Sequence, residues 1–429
     1  MRAIRPLSYK PRMSDPSDRI FRPVPRTGVI FVMAEAAERG FSYGNPEWAN
    51  LGQGAPQTGP LPGAAERIEG IRLDTAMHEY APVAGLSELR EAVAALYNHR
   101  YRRGLASQYT AENVAISPGG RAGLTRIVTA LGRVHLGHLL PDYTAYEELL
   151  DVFRAFIPIP IVLRQEDDFR LSPERFRELI VGAGLGALLL SNPCNPTGRL
   201  VQGEEMRRWV EACRRLGCAL IVDEFYSHYV YPGPEGATAS ACAHVEDVNR
   251  DPVVVIDGLT KNWRYPGWRL SWTVGPKTVI ERIASAGSFL DGGASHPLQR
   301  AALPLLEPEV ADREAAAIQR VFRVKRTMVL ERIEAMGMSV CGPPEGAFYC
   351  FANLDGLPPA LRDGMDFFRA ALEEKVICVP GEFFDVNPGQ RRSHIPSRLK
   401  SFVRLSFGPD IASVRLGLDR MEALIARHR

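Results

Sequence analysis

The sequence predicts an α/β protein in two unequal parts: a large domain on a mostly parallel sheet flanked by helices, and a smaller α+β domain. Three observations carry this. From Asn113 onward, short apolar runs alternate with amphipathic helical stretches, separated by Gly-, Pro- or Asn-bearing turns. Residues 187–191, 219–223 and 253–257 are unbroken apolar runs, the pattern of parallel strands covered on both faces. Beyond Pro308 the alternation gives way to one long helical stretch and then to short strands mixed with helices.

Residues 1–27, crowded with Arg and Pro, read as an extended arm. Asp15, Asp18 and the lack of an apolar core exclude a secretory signal or a transit peptide. Residues 28–39 have helical apolar spacing through Val29, Val32, Met33 and Ala36, and a Gly/Pro-dense loop follows at 51–62. Residues 28–60 are assigned to the smaller domain, 61–308 to the large one and 309–429 to the rest of the smaller one. Within the large domain Gly85 and Ser87 open a helix to about Arg100, and a strand at 113–117 breaks at Pro118-Gly119-Gly120 before a helix at 121–131. A strand ending at Leu140 precedes Pro141-Asp142-Tyr143 and another helix; the strand at 187–191 stops at Asn192-Pro-Cys-Asn-Pro-Thr-Gly198. A helix at 203–216 leads to the strand at 219–223, and that at 253–257 comes next. The smaller domain should hold a helix at 309–336, strands at 346–351, 376–380 and 402–407, and helices at 364–375 and from 410.

With 52 Lys+Arg against 50 Asp+Glu, the formal charge is +2, which favours neither a nucleic-acid partner nor a membrane surface. Seven cysteines without a C-x-x-C pair exclude a zinc ribbon and a disulfide framework, and fit free thiols in a reducing cytoplasm. No metal site is expected.

Each polar cluster falls at the carboxyl end of a strand, where open α/β sheets bind their ligands. After the strand at 253–257 come Thr260 and Lys261, with Arg269 eight residues beyond the lysine. A lysine at the mouth of a buried strand can lose its proton and become a nucleophile, while an arginine is a fixed charge for a phosphate. One imine-forming lysine and one phosphate-holding arginine suggest pyridoxal phosphate. Gly119, Gly120 and Arg121 at a helix start add an anion site. Asp223, closing an apolar strand, needs a cationic partner such as a protonated pyridine nitrogen. Tyr226 and Asn195 can reach the ring oxygen, and Tyr143 can stack on the ring.

In order along the chain stand Leu51-Gly-Gln-Gly54, Tyr80-x-x-x-x-Gly-x-x-x-Leu-Arg90, Pro118-Gly-Gly, Asn192-Pro-Cys-Asn-Pro-Thr-Gly198, Asp223-Glu-x-Tyr226, Lys261 with Gly267-Trp-Arg269, Gly346-Ala-Phe-Tyr349 and Val403-Arg-Leu-Ser406. On these motifs, spread over about residues 28–428, the chain resembles the class I/II aminotransferases of the pyridoxal-phosphate-dependent fold type I, the family related to aspartate aminotransferase. The resemblance implies that Lys261 binds the cofactor through an imine and then moves a proton between substrate and cofactor. It implies that Asp223 pairs with the ring nitrogen and that Asn195 and Tyr226 contact the ring oxygen. Gly119, Gly120, Arg121, Thr260 and Arg269 would hold the phosphate. Tyr80 would reach the phosphate of a neighbouring subunit in a homodimer. Arg404, with the backbone of Gly54 and with Asn195, would bind the α-carboxylate of an amino or 2-oxo acid.

The chain departs from the family at Arg121, where a small hydroxyl residue or lysine is commoner, and at bulky Trp263 and Arg264. A basic stretch at 382–400, with Arg391, Arg392, His394, Arg398 and Lys400, reads as a solvated loop or as a cover for the cleft. Side-chain selectivity is expected from 29–31, Trp48, Tyr143, 288–293 and this stretch. The same constellation supports β-elimination, C–S lysis, decarboxylation or oxidation as alternatives to amino transfer. A cofactor-sensing regulator on this fold would need a DNA-binding domain ahead of it, and the 27-residue arm is too short for one.

Overall fold

The computed structural model describes residues 28–153 and 155–429; the arm at 1–27 lies outside the described residues. The chain opens with α1 (Gly28–Glu38), β1 (Ala49–Asn50), α2 (Ser87–Tyr101), β2 (Val114–Ser117), α3 (Gly120–Thr129), β3 (His135–Leu140), α4 (Tyr146–Val152) and β4 (Ile157–Val162). It continues through α5 (Pro173–Gly182), β5 (Leu185–Ser191), α6 (Gly203–Leu216), β6 (Ala219–Asp223), β7 (Val253–Gly258), β8 (Ser271–Val274), α7 (Lys277–Leu290) and α8 (His296–Ala302). It closes with α9 (Pro308–Met336), β9 (Ser339–Val340), β10 (Tyr349–Asn353), α10 (Gly364–Glu373), β11 (Val376–Ile377), β12 (Val379–Pro380), β13 (Phe402–Ser406) and α11 (Ile411–Ala426).

Seven strands form the large sheet in the order β2-β8-β7-β6-β5-β3-β4. Only β8 runs against its neighbours, so β2 to β7 share one direction and their carboxyl ends one rim. The interior strands alternate between two cores. Leu188, Leu190, Leu220, Val222, Val253 and Val255 pack with α2, α5 and α6, whereas Ala187, Leu189, Ile221, Val254 and Ile256 pack with α3 and α7. Helix α6 shows how the sequence encodes this layering. Met206, Trp209, Val210 and Cys213 make one buried stripe, acids fill the first turn, arginines the last, and Gly217 ends the helix at φ 68°.

The alternating pattern therefore gives the α/β fold as predicted, with two strands hidden from it. Strand β4 carries Pro158 and Pro160, which read against a strand; it lies at the sheet edge, where a missing N–H costs no ladder bond. Strand β8 returns antiparallel straight from the lysine loop without a crossover helix. A second difference concerns 376–380, expected as one strand. It serves two sheets: β11 pairs in parallel with β1, and β12 pairs with β13 in the antiparallel sheet β12-β13-β10-β9. Another core joins α1, β1, α9, α10, α11 and this sheet.

The basic stretch at 382–400 does not cover the cleft. The backbone N–H of Asn387 and the side chain of Gln390 bind Glu147 on α4 at 3.0 and 2.8 Å, and Val386 is buried. Arg391, His394, Arg398 and Lys400 project into solvent. It is a docked surface loop. Leu188→Ala should cost about 3 kcal/mol through loss of buried area and the cavity left between β5 and α6; the thermal unfolding midpoint measures it.

Candidate active site

The shared rim of β2, β3, β5, β6 and β7 faces loop 51–54, the first turn of α1 and Arg404 of β13 across a cavity of about 570 Å³. Gly54, Gly120, Arg121, Tyr143, Asn195, Asp223, Tyr226, Thr260, Lys261, Arg269 and Arg404 all line it. Residues distant in sequence converge there because strand direction brings their loops to one edge.

Lys261 stands on a loop braced from below. Asn262, fully buried, donates to Asp257 Oδ1 at 2.7 Å and Ser227 Oγ at 2.9 Å, and accepts from the backbone N–H of His228 at 3.0 Å. Trp263 Nε1 donates to the carbonyl of Leu305 at 2.8 Å. Arg264, in the left-handed region at φ 58°, pairs with Glu314 at 2.7 Å and donates to the carbonyl of Gln57 at 3.0 Å. The two bulky residues after the lysine are thus the anchor of its loop to α9 and to the Gly-rich loop. The Nζ of Lys261 donates to the carbonyl of Gly54. Burial, then repulsion by Arg404, Arg269 and Arg121, lowers its pKa to about 7 despite the attraction of Asp223.

Asp223 ends β6 and is buried; it accepts from the hydroxyl of Tyr146 at 3.0 Å and the N–H of Phe225 at 3.4 Å. Burial outweighs these bonds and raises its pKa to about 6. The hydroxyls of Tyr226 and Tyr349 share a hydrogen bond at 2.6 Å. Arg404, buried on β13, donates to Asn195 Oδ1 at 2.8 Å and to the carbonyl of Gly52, while its guanidinium lies over the Tyr349 ring at 4.3 Å. Its Nε has no partner.

At the other end of the cavity is an anion corner. Gly119 has φ 93° and a Cβ there would strike the guanidinium of Arg269; one on Gly120 would strike the ring of Phe225. Glycine is required at both. No side chain caps α3, so its first amides open toward the corner, and the buried hydroxyl oxygen of Thr260 lacks a partner. These unspent donors and the Arg269 charge fit a phosphate.

Residues 46–420 match the family described as aminotransferase class I and II. The chain belongs to that family. An aspartate/prephenate aminotransferase of Thermus thermophilus is 28% identical over 357 residues, covering 81% of this chain and 84% of the relative. A valine–pyruvate aminotransferase of Mycobacterium tuberculosis is 28% identical over 408 residues, covering 93% and 96%. A solved aminotransferase structure from Mycobacterium tuberculosis superposes with a TM-score of 0.77 at 25% identity, covering 94% of this chain and 97% of that one. The protein is an aminotransferase, an enzyme moving an amino group from an α-amino acid to a 2-oxo acid, and its fold is that of the aspartate aminotransferases.

In this aminotransferase not every expected residue reaches the cleft. Tyr80, expected to serve a neighbouring subunit, is 97% exposed and does not line this chain's own cleft. Trp48 is core, packed edge-on against Phe41. Residues 288–293 lie away, with Asp291 clamping the buried Arg126 of α3. Of the selectivity candidates, Val29, Ile30 and Tyr143 line the cavity, with Arg121 donating to the Tyr143 hydroxyl at 3.5 Å. Tyr146 and Glu314 escaped sequence reasoning, and Tyr349 and Arg264 were noted there without a role in the site. Tyr146 could have been found three residues after Tyr143 on a helix start, a spacing that puts both on one face. Glu314 gave no local signal. Among the described residues no metal-ligating cluster exists, and no helix is long and apolar enough to cross a membrane. Glu314→Ala should destabilise the fold by about 3 kcal/mol, because it strands the Arg264 guanidinium unpaired in the interior; thermal denaturation reads this.

Proposed function

We propose that this aminotransferase works with pyridoxal phosphate in the described cavity. The observation that carries the reading is a depressed lysine amine and a buried carboxylate on one cavity whose far corner is rich in unspent anion donors. Bound there, pyridoxal phosphate supplies an aldehyde that carries the amino group and a ring that withdraws electrons.

The residues divide the work. Thr260, Arg269, Arg121 and the α3 amides with Gly119 and Gly120 hold the phosphate. Asp223, oriented by Tyr146, keeps a proton on the ring nitrogen. Asn195 and Tyr226 hydrogen-bond the ring oxygen, and Tyr143 covers a ring face. Arg404 binds the substrate α-carboxylate through paired N–H groups, beside Asn195 and Gly54. Lys261 Nζ takes the proton from the substrate α-carbon as a general base, which requires a neutral amine near pH 7. Tyr80, projecting from the surface, supports a homodimer in which it reaches the partner's phosphate corner. Seven cysteines without a disulfide support a cytoplasmic setting.

Lys261→Ala should abolish both turnover and the visible band of the bound cofactor, while a screen of amino donors with the unaltered enzyme shows that band disappearing. Full activity in this variant would refute the reading. Below pH about 7 the amine carries a proton and cannot attack an aldehyde; above it the amine is free. Capture of added pyridoxal phosphate by cofactor-free enzyme should therefore accelerate about tenfold per pH unit below that point and level off above it, read by rapid-mixing absorbance.

A further inference from the structure

Lys325 of α9 is 1% exposed and hydrogen-bonds only neutral oxygens among the described residues, with the Asp410 carboxylate attracting its charge from farther off. Its ammonium donates to Gln57 Oε1 at 3.0 Å, to the carbonyl of Gly408 at 3.4 Å and to that of Pro409, and lies 4.3 Å from the centroid of the Phe322 ring. Burying a charge on neutral oxygens is costly, and is tolerated here because each of three protons meets an acceptor. A methionine would fill the same space at lower cost, so the charge calls for another explanation.

The three oxygens belong to two segments. Gln57 is on the Gly-rich loop, and residues 408–409 follow β13 directly. The N–H of Gln57 donates to the carbonyl of Gly408 at 2.8 Å, and that of Ser406 to Leu51 at 2.8 Å. The same loop presents its Gly52 carbonyl to Arg404 and its Gly54 carbonyl to Lys261. Arg264 grips the Gln57 carbonyl from the far side. Gln57 is thus held through its N–H, its carbonyl and its side chain, a few residues past the Gly52 and Gly54 carbonyls that touch the cleft.

We propose that Lys325 is a positioning residue for carboxylate recognition: by clipping Gln57 to the turn after β13, it fixes the Gly52 carbonyl on Arg404 and so presets the direction of the guanidinium. The inference rests on the reading of Arg404 as the carboxylate-binding residue. A guanidinium already oriented loses less freedom when a carboxylate arrives. Loss of the clip therefore weakens carboxylate binding without touching the chemistry at Lys261.

The test uses holoenzyme. Succinate and isovalerate, the amino-free analogues of aspartate and valine, are titrated against the visible spectrum of the bound cofactor, and the half-reaction is followed with L-aspartate and L-valine. In Lys325→Met the dissociation constants and half-saturation concentrations should rise about tenfold, with limiting rate and cofactor affinity within about twofold of the parent. Unchanged carboxylate binding overturns the proposal, as does a parallel loss of cofactor affinity and limiting rate, which would mark a general structural role. Should Lys325→Met fail to fold, Gln57→Leu decides, with the same expected split and the same overturning results. Arg404→Gln separates the two ideas. If it binds both carboxylates as the parent does, the Arg404 reading fails and takes this one with it; if it loses them while Lys325→Met and Gln57→Leu keep them, only the clip is refuted.

Discussion

An amine kept close to neutrality by its surroundings is the constraint around which the cleft is arranged. Burial removes the water that would stabilise the proton of Lys261, and Arg404, Arg269 and Arg121 repel it. The arginines repel the lysine, yet each is also suited to an anion, so charges that depress the amine are available to a phosphate and a carboxylate. Asp223 opposes them from the end of β6 and is itself held unhappily in the apolar rim. A phosphate-bearing heterocycle with a protonated ring nitrogen, joined by a substrate carboxylate, would offset these unfavourable charges together.

Such a concentration of charge requires a scaffold that does not yield. The lysine loop is tied to three separate elements: to the strand and turn around Asp257 and Ser227 through Asn262, to Leu305 through Trp263, and to α9 through Arg264 and Glu314. Breaking one partner of a buried pair leaves an uncompensated charge, so these contacts set geometry more than they add net stability. Rigid support on helices and strands holds the Lys261 amine in one place within the cleft.

How much of this could be read from the chain follows from the range of each interaction. Strand–turn–helix alternation gave the α/β class because burial on two faces writes itself as unbroken apolar runs. Asp223 was legible because it ends an apolar run, Lys261 and Asn195 because they follow such runs within a few residues, and Arg269 by its spacing from the lysine. Arg404 emerged only from the motif around it. Long-range partners left no trace: Glu314 looks like any acid on a long helix, and its meaning depends on a guanidinium fifty positions earlier. Edge position excused the prolines of β4, and edge position is a property of the assembled sheet. Trp48 misled because a large aromatic beside a Gly-rich loop serves a core as readily as a pocket.

The short parallel pairing of β1 with β11 has a bearing on how the polypeptide comes into being. Helix α1 and β1 are made before the large sheet, yet β1 bonds to Val376 and Ile377, and Phe31 rests on Phe368 and Phe383. Their apolar side chains must wait on the ribosome for partners that lie beyond the large sheet in the chain, while that sheet can already form. Nascent chains of this protein therefore carry an uncovered apolar segment while the large sheet is being made, the kind of surface that chaperones engage.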